Sequence, residues 1–317
     1  MRRRHIVGVG GWLAIALCAA VSGCGDKVDD EGPIVAKKTK KATGGVGTSV
    51  AKLTPLKGTG YDGVIKGKVV WSGEKPDFEA LTKQFQETIS KDRDFCLKGK
   101  EVEITQQSYR VGDNNGLGNV YVWIEPVEAD KYFEVPDSQL VPFKTQEIVI
   151  RQPHCAFMPH CSVVFPFYFK DGVRTPTGQK LRVENDAEVP HNARIAGTEN
   201  AESNEQIPVG GAIYRLLRPE ADAVLISCGV HPWMRGYVRA FSHPYATISS
   251  VGADLDKKVY EDKASKEFGT YEIKNVPIGV KVRLKAWHET LGILTKPEGE
   301  ELTLAKDNIR DFTVSKR

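Results

Sequence analysis

Three donor side chains of different kinds fall within seven residues of this 317-residue chain. Cys228, His231 and Met234 are each separated from the next by two residues, and Pro232 lies among them. In a regular strand, three-residue steps send side chains to opposite faces, so an extended segment cannot make these donors converge. A tight turn between two strands can point the thiol, the imidazole and the thioether at one place. The spacing therefore predicts a β structure in which this stretch is a loop.

A second imidazole lies upstream, in Val189-Pro190-His191-Asn192. Two imidazoles, one thiolate and a weakly held thioether are the donors of a mononuclear copper site that transfers electrons. Sulfur donors suit Cu(I) and nitrogen donors suit Cu(II), so a mixed set serves both states with little rearrangement. We therefore predict one copper centre with four ligands: His191, Cys228, His231 and Met234. The alternative is a structural cluster, in which Cys and Met fill a core and the His lie on the surface.

These residues also carry a family resemblance. Val189-Pro190-His191-Asn192 followed by Cys-x-x-His-x-x-Met resembles the cupredoxin (blue copper) family, and the short ligand loop is most similar to the amicyanin and plastocyanin type. The match covers roughly residues 146–243. The resemblance implies a Greek-key β-sandwich with the copper site at one end. It also implies that Asn192 ties the loop that carries His191 to the loop that carries Cys228.

The preferred function is the carriage of single electrons, because four protein donors leave no evident open position for a substrate on the metal. The resemblance implies that electrons leave through His231, whose edge would lie near solvent. Pro232 and Trp233 would then form a small apolar docking patch, which suits weak and transient redox encounters. The expected partner is an exported c-type cytochrome or dehydrogenase.

Two other functions remain as alternatives. Copper enzymes such as nitrite reductases and multicopper oxidases need further coppers bound by motifs such as His-x-His, and the seven His of this chain form no such motif. A binuclear copper centre needs two Cys in the ligand loop, where Cys228 stands alone. We therefore expect no enzymatic activity. Copper storage or delivery, or a surface binding protein with an incidental site, is the second alternative.

The first residues have the pattern of an export signal. Arg2, Arg3 and Arg4 precede an apolar run, and Val21-Ser22-Gly23-Cys24 follows it. This resembles a bacterial lipobox, which implies that residues 1–24 act as a lipoprotein signal peptide and that Cys24 is lipidated. The alternative is a plain secretory signal with an incidental Cys. Either predicts an exported protein in the periplasm or cell envelope, where disulfides are permitted, and the lipobox adds membrane anchoring.

Charge excludes one class of partner. The net charge of +3 comes from the first 57 residues, because residues 58–317 hold 34 basic and 37 acidic side chains. No basic patch for nucleic acid is implied. Residues 25–57 are rich in Lys and Gly, which predicts a disordered tether between the lipid and the folded body.

The body is predicted to be all-β, because short apolar runs alternate with turns rich in Gly and Pro. Residues 58–145 are expected to be a β-rich region with one short helix. That helix is predicted between Phe78 and Lys91, where apolar residues recur at helical spacing. A strand is expected over Val102 to Tyr109. The cupredoxin part, residues 146–243, is expected to follow as a separate domain.

A second, smaller β-sandwich is predicted for residues 244–317. Its strand, the turn Asn275-Val276-Pro277-Ile278-Gly279 and the next strand resemble the carboxypeptidase regulatory-like, or transthyretin-like, module. The stretch from Gly63 to Val69 resembles the opening strand of the same module. One module split by the cupredoxin part is therefore an alternative to two separate regions.

Three cysteines remain once Cys18, Cys24 and Cys228 are set aside: Cys96, Cys155 and Cys161. Cys155 and Cys161 are too far apart for a disulfide if the segment between them is extended. The preferred pairing is Cys96–Cys155, and Cys96–Cys161 is the alternative. His154, Cys155, His160 and Cys161 could also form a second metal site, but their spacing is not that of zinc sites. We prefer a structural role for them.

Overall fold

A computed structural model describes residues 53–315 of the chain. The lipidation site Cys24, the signal peptide and most of the tether lie outside these residues. Within the described residues, no helix is both long enough and apolar enough to cross a membrane.

Most regular elements of the described residues are strands. In chain order they are β1 (Thr54–Leu56), β2 (Gly63–Trp71), β3 (Tyr121–Pro126), β4 (Lys131–Phe133), β5 (Glu147–Arg151), β6 (Cys161–Val164), β7 (Phe167–Lys170), β8 (Val173–Pro176), β9 (Lys180–Glu184), β10 (His191–Ala196), β11 (Ser203–Ile207), β12 (Ala212–Arg215), β13 (Val224–Ser227), β14 (Arg235–Ala240), β15 (Ala246–Ile248), β16 (Thr270–Val276), β17 (Lys281–His288), β18 (Gly292–Ile293), β19 (Glu300–Thr303), β20 (Asp307–Ile309) and β21 (Phe312–Val314).

The helices of the described residues all precede β5. They are α1 (Phe78–Thr88), α2 (Arg93–Cys96), α3 (Glu101–Ile104), α4 (Asp137–Leu140) and a 3₁₀ turn, Val141–Phe143. The helix predicted from Phe78 is α1, which begins where the Asp77 carboxylate accepts a hydrogen bond of 2.9 Å from the Ala80 N–H.

The strand predicted over Val102 to Tyr109 is wrong, because α3 occupies its first residues. The carboxylate of Glu103 accepts a hydrogen bond of 3.1 Å from the backbone N–H of Lys100, which closes a helical turn. The same carboxylate lies 2.9 Å from the ring of His154. The helical turn therefore gives the buried Glu103 carboxylate its two partners, the Lys100 N–H and the His154 ring.

The metal-ligand candidates belong to a sandwich of two sheets. One sheet has the strand order β11-β10-β13-β14-β6 and the other has the order β12-β9-β5. Both sheets contribute to one apolar core, which includes Ile150, Val183, Ile195, Ile226 and Val238. The prediction of an all-β chain with a β-sandwich and a further β module is confirmed.

The further module is built from both ends of the described chain. Its sheets have the orders β15-β3-β17-β18, with β19 beside β17, and β16-β2-β20, with β21 also beside β2. β2 pairs antiparallel with β16 and parallel with β20 and β21. Strands of residues 58–145 therefore pair with strands of residues 244–317 in common sheets.

The segment between β2 and β3 also packs against the sandwich that carries the metal-ligand candidates. Ile89 and Cys96 are both 2% exposed and belong to the apolar core of that sandwich. Phe85, Phe95 and Leu97 pack against the same core. Residues 85–97 are therefore part of the surroundings of the candidate site, although the sequence gives them no such role.

Candidate metal centre

The strand pairing brings His191 to the loop that follows β13. β10 begins at His191 and pairs antiparallel with β13, with Arg194 opposite Ser227. Cys228 follows β13 directly. Because the two strands run in opposite directions, the start of β10 and the end of β13 lie at the same end of the sheet. The candidate site lies at that end.

The loop from Cys228 to Met234 is the predicted turn. The backbone N–H of Cys228 donates to the carbonyl of Met234 at 3.3 Å, and the N–H of Met234 donates to the carbonyl of His231 at 2.9 Å. These bonds fold the loop back on itself between β13 and β14. Cys228, His231 and Met234 are all at most 2% exposed. The loop therefore buries all three donor side chains.

Three of the predicted ligand atoms form a compact group. The Nδ1 atoms of His191 and His231 lie 3.0 Å apart. Each of them lies 3.9 Å from the Sγ atom of Cys228. The three donor atoms therefore lie within 4.8 Å of one another, a spacing that can hold a metal ion. Met234 lies in the same apolar core as Cys228.

The Nε2 atoms of the two imidazoles point away from the centre, and their hydrogen bonds determine the tautomer of each ring. The Nε2–H of His191 donates to the backbone carbonyl of His154 at 2.7 Å. The Nε2–H of His231 donates to the carboxylate of Asp92 at 2.9 Å. Since these acceptors hold the proton on Nε2, both Nδ1 atoms of the neutral rings carry lone pairs directed inwards. Two lone pairs 3.0 Å apart repel unless a cation lies between them.

Burial disfavours a proton as the cation between the two Nδ1 atoms. Desolvation, with a smaller contribution from His231, lowers the pKa of His191 to about 4. Desolvation also lowers the pKa of His231, although Asp92 opposes the shift. Both rings are therefore neutral at neutral pH, which is the form that binds metals. The donor set fits a metal ion better than a proton.

Asn192 connects the two segments of the site, in the manner that the family resemblance implies. Its side-chain oxygen accepts hydrogen bonds from the backbone N–H groups of Gly229 at 2.7 Å and Val230 at 3.3 Å. The thiol of Cys228 lies 3.0 Å from the same oxygen. The side-chain amide of Asn192 donates to Asn204 on β11. The start of β10 and the ligand loop are thus fixed relative to each other.

His231 differs from the expectation that its edge lies near solvent. The residue is 0% exposed, because Asp92 covers its outer nitrogen. Pro232 is exposed and Trp233 is half-buried, with the Trp233 ring 5.2 Å from the His231 ring. The protein surface closest to the ligand is therefore formed by its loop neighbours and by Asp92, whose side chain is 34% exposed.

The other cysteines and histidines of the predicted alternatives have structural partners. A disulfide joins Cys96 to Cys155, the preferred pairing, and Cys161 is free and buried. The ring of His154 pairs with Glu103, and the ring of His160 lies 2.8 Å from Glu289. The alternative of a second metal site at His154, Cys155, His160 and Cys161 therefore finds no support among the described residues.

Asp92 and His154 are the site residues that the sequence did not indicate. Asp92 lies 139 positions before His231, in a charged stretch that looks like a solvated surface. His154 contributes its backbone carbonyl, for which no side-chain pattern exists. The sequence gives one indirect indication. Cys96 closely follows Asp92 in the chain and Cys155 directly follows His154, so the predicted Cys96–Cys155 disulfide brings the segments of Asp92 and His154 together.

No family model matches the chain, and no curated protein matches it. Weakly similar solved structures include a purple cupredoxin from Nitrosopumilus maritimus, with 18% identity over 30% of this chain and 99% of that chain, at a TM-score of 0.23. Amicyanin from Paracoccus versutus has 18% identity over 38% of this chain and 97% of its own, at a TM-score of 0.24. A copper-containing nitrite reductase from Thermus scotoductus has 13% identity over 30% of this chain and 22% of its own, at a TM-score of 0.23. The likeness therefore concerns a minor part of the chain.

Proposed function

We propose that this protein binds one copper ion through His191, Cys228, His231 and Met234 and carries single electrons. The observation that carries the proposal is the meeting of two inward Nδ1 lone pairs, 3.0 Å apart, with the Cys228 sulfur 3.9 Å from each. Copper bound there would supply the Cu(I)/Cu(II) couple. The protein would supply a buried and pre-arranged donor set.

The choice of copper follows from the donors. A closed site of two imidazoles and one thiolate, with a thioether nearby, matches the trigonal ligand set with a weak axial Met that blue-copper sites use. Zinc in structural sites is typically held by four strong donors, and Met is not among its usual ligands. Met234 is 2% exposed and shares the apolar core of Cys228, so its thioether is shielded from water.

Electron carriage fits the burial of the donors. All four ligand residues are at most 2% exposed, which leaves no path by which a substrate could reach the centre directly. An electron needs no such path. We propose that the partner, an exported c-type cytochrome or dehydrogenase, docks over exposed Pro232 and half-buried Trp233, next to the His231 ring. No enzymatic activity belongs to this proposal.

The proposal places the protein in the periplasm or cell envelope, held to a membrane by lipid on Cys24. The disulfide between Cys96 and Cys155 supports an oxidising compartment. Metabolic labelling with a radioactive fatty acid tests the anchor. The label should enter the full chain and be absent from a Cys24→Ser variant; equal labelling of both would contradict the assignment.

The copper proposal is tested with the purified chain and stoichiometric Cu(II). A thiolate bound to Cu(II) gives an intense visible absorption, and voltammetry should show one reversible one-electron wave. Cys228→Ser should abolish the colour. Cys161→Ser is the matched control, because Cys161 is also free and buried but lies outside the centre.

Each other outcome has a distinct meaning. Copper bound without colour would contradict the thiolate ligand and favour storage of the metal. Turnover of nitrite or phenols would contradict the assignment as a carrier and favour a copper enzyme. Failure of the wild-type chain to bind copper would contradict the proposal entirely.

A further inference from the structure

Both imidazole ligands are held from outside by residues that lie far from them in the chain. The carbonyl of His154, in the loop after β5, accepts the outer N–H of His191. The carboxylate of Asp92, just before α2, accepts the outer N–H of His231. Neither contact comes from the ligand loop itself.

The disulfide connects these two outer contacts to each other. Cys96 ends α2, which begins directly after Asp92, and Cys155 follows His154 in the chain. The bond brings their Cα atoms to 5.1 Å across a sequence separation of 59. A ring nitrogen of His231 lies within 4.8 Å of both sulfur atoms. The covalent link is therefore packed against the ligand that Asp92 holds.

Asp92 has an unusual conformation for this task. Its φ of 48° and ψ of 33° lie in the left-handed region, which non-glycine residues rarely adopt. It occupies the N-cap position of α2 but makes no capping hydrogen bond with its side chain. An Asp at this position usually accepts a bond from the first helical turn. Here the carboxylate turns instead to His231.

The other half of the arrangement is fixed in the same way. The ring of His154 lies 2.9 Å from a carboxylate oxygen of Glu103, a residue that is only 2% exposed. The same ring also packs on Phe95 of α2, with ring centroids 5.2 Å apart. The carbonyl of His154 is thus held in place from α2 and α3 together.

We propose that Asp92, the carbonyl of His154 and the Cys96–Cys155 disulfide act together as an outer clamp that sets the tautomer and orientation of both imidazole ligands. Asp92 is a positioning residue in this clamp. Hydrogen-bond partners behind metal-bound His raise their basicity and fix their orientation, and their loss typically weakens metal binding about 10–100-fold. The inference rests on the proposed function only in that the metal is copper.

The first test uses the metal-free protein. Nitrogen-15 NMR of the His side chains should show His231 as a single tautomer with its proton on Nε2. Asp92→Ala should convert it to a mixture of tautomers, whereas Asp92→Asn, which keeps an acceptor, should preserve most of the original form. Asp94→Asn is the matched control. Asp94 is exposed on α2, the helix that Asp92 precedes, and the substitution removes the same charge.

The second test is competition for Cu(II) against a chelator of known affinity. Asp92→Ala should bind Cu(II) about 10–100-fold more weakly than wild type, and Asp94→Asn should bind it equally well. The double variant Cys96→Ser/Cys155→Ser should weaken binding in the same direction if it folds, as judged by circular dichroism. If it does not fold, the Asp92 variants decide the question.

The two proposals fail separately. A wild-type chain that binds no Cu(II) would contradict the copper function, while the tautomer of His231 in the metal-free protein would still report on the clamp. A wild-type chain that binds Cu(II) alongside an Asp92→Ala variant with the same tautomer and affinity would overturn the clamp.

Discussion

The side-chain oxygen of Asn192 accepts a hydrogen bond of 2.7 Å from the backbone N–H of Gly229. Asn192 is 5% exposed and also receives the N–H of Val230. One oxygen thus joins β10, which starts at His191, to the loop that carries the other three candidate ligands. The amide is therefore a structural link between the two halves of the site.

Replacing Asn192 with Ala should destabilise the metal-free protein by about 2 kcal/mol, because the donors in the loop lose their acceptor. Urea denaturation monitored by circular dichroism would measure the change. Asn204→Ala is the control, since it removes only the partner of the Asn192 amide and leaves the loop contacts in place. Equal stability of wild type and Asn192→Ala would show that the link contributes nothing.

Replacing Met234 with Gln should preserve copper binding and lower the reduction potential. The axial ligand tunes the potential, and a harder oxygen donor stabilises Cu(II) relative to Cu(I). Voltammetry measures the shift. Met158→Leu serves as the control, because Met158 is equally buried at 2% exposed but lies outside the ligand set, so its potential should match wild type. An unchanged potential in Met234→Gln would exclude Met234 as the axial ligand.

Loss of the Cys96–Cys155 disulfide should lower the free energy of unfolding by about 4 kcal/mol, the value that chain entropy predicts for a loop of this length. The bond closes 59 residues and so restricts the unfolded chain strongly. Urea midpoints of the Cys96→Ser/Cys155→Ser variant and wild type provide the comparison. Cys161→Ser, which leaves the disulfide intact, should lose much less.

Stability should fall as the pH decreases from about 6.5 towards 4, in part through His243. Burial lowers the pKa of His243 to about 4, and Glu125 only partly opposes this. The unfolded chain therefore binds a proton in this pH range that the folded chain does not bind. This difference lowers the free energy of unfolding by about 2 kcal/mol at pH 5.

The contribution of His243 can be isolated with His243→Asn. This variant keeps a side chain able to accept the hydrogen bond that the Tyr245 N–H donates to the His243 ring at 3.2 Å, and it cannot titrate. Urea denaturation at pH 7.5 and pH 5 should show a smaller loss in the variant than in wild type. Parallel losses in both would place the pH dependence elsewhere.

The clustering of the four candidate ligands could be predicted from the sequence because the information for it is local. Three donors lie within one loop, and His191 is followed directly by the Asn192 that ties the two segments. Short apolar runs that alternate with turns rich in Gly and Pro likewise predicted that the body of the chain is mostly β structure. The residue types and their spacing determine these features without reference to distant parts of the chain.

The surroundings of the site could not be predicted, because they depend on contacts between remote segments. Asp92 is separated from His231 by 139 positions, and nothing in its charged neighbourhood distinguishes it from a surface residue. The error over Val102 to Tyr109 has a related cause. Alternation of Val102, Glu103 and Ile104 suggests a strand, but Glu103 is turned inwards by His154, which lies 51 positions further along the chain.

The division of the further module between the two ends of the chain imposes an order on its assembly. The backbone N–H of Lys68, in β2, donates to the carboxylate of Asp311 across 243 positions. A growing polypeptide emerges with its N-terminus first, so β2 and β3 are made before β16 and β17, the strands of residues 244–317 with which they pair. The two sheets that these strands enter are therefore completed last, and a nascent chain truncated before β16 would expose unpaired strand edges that can pair with other chains.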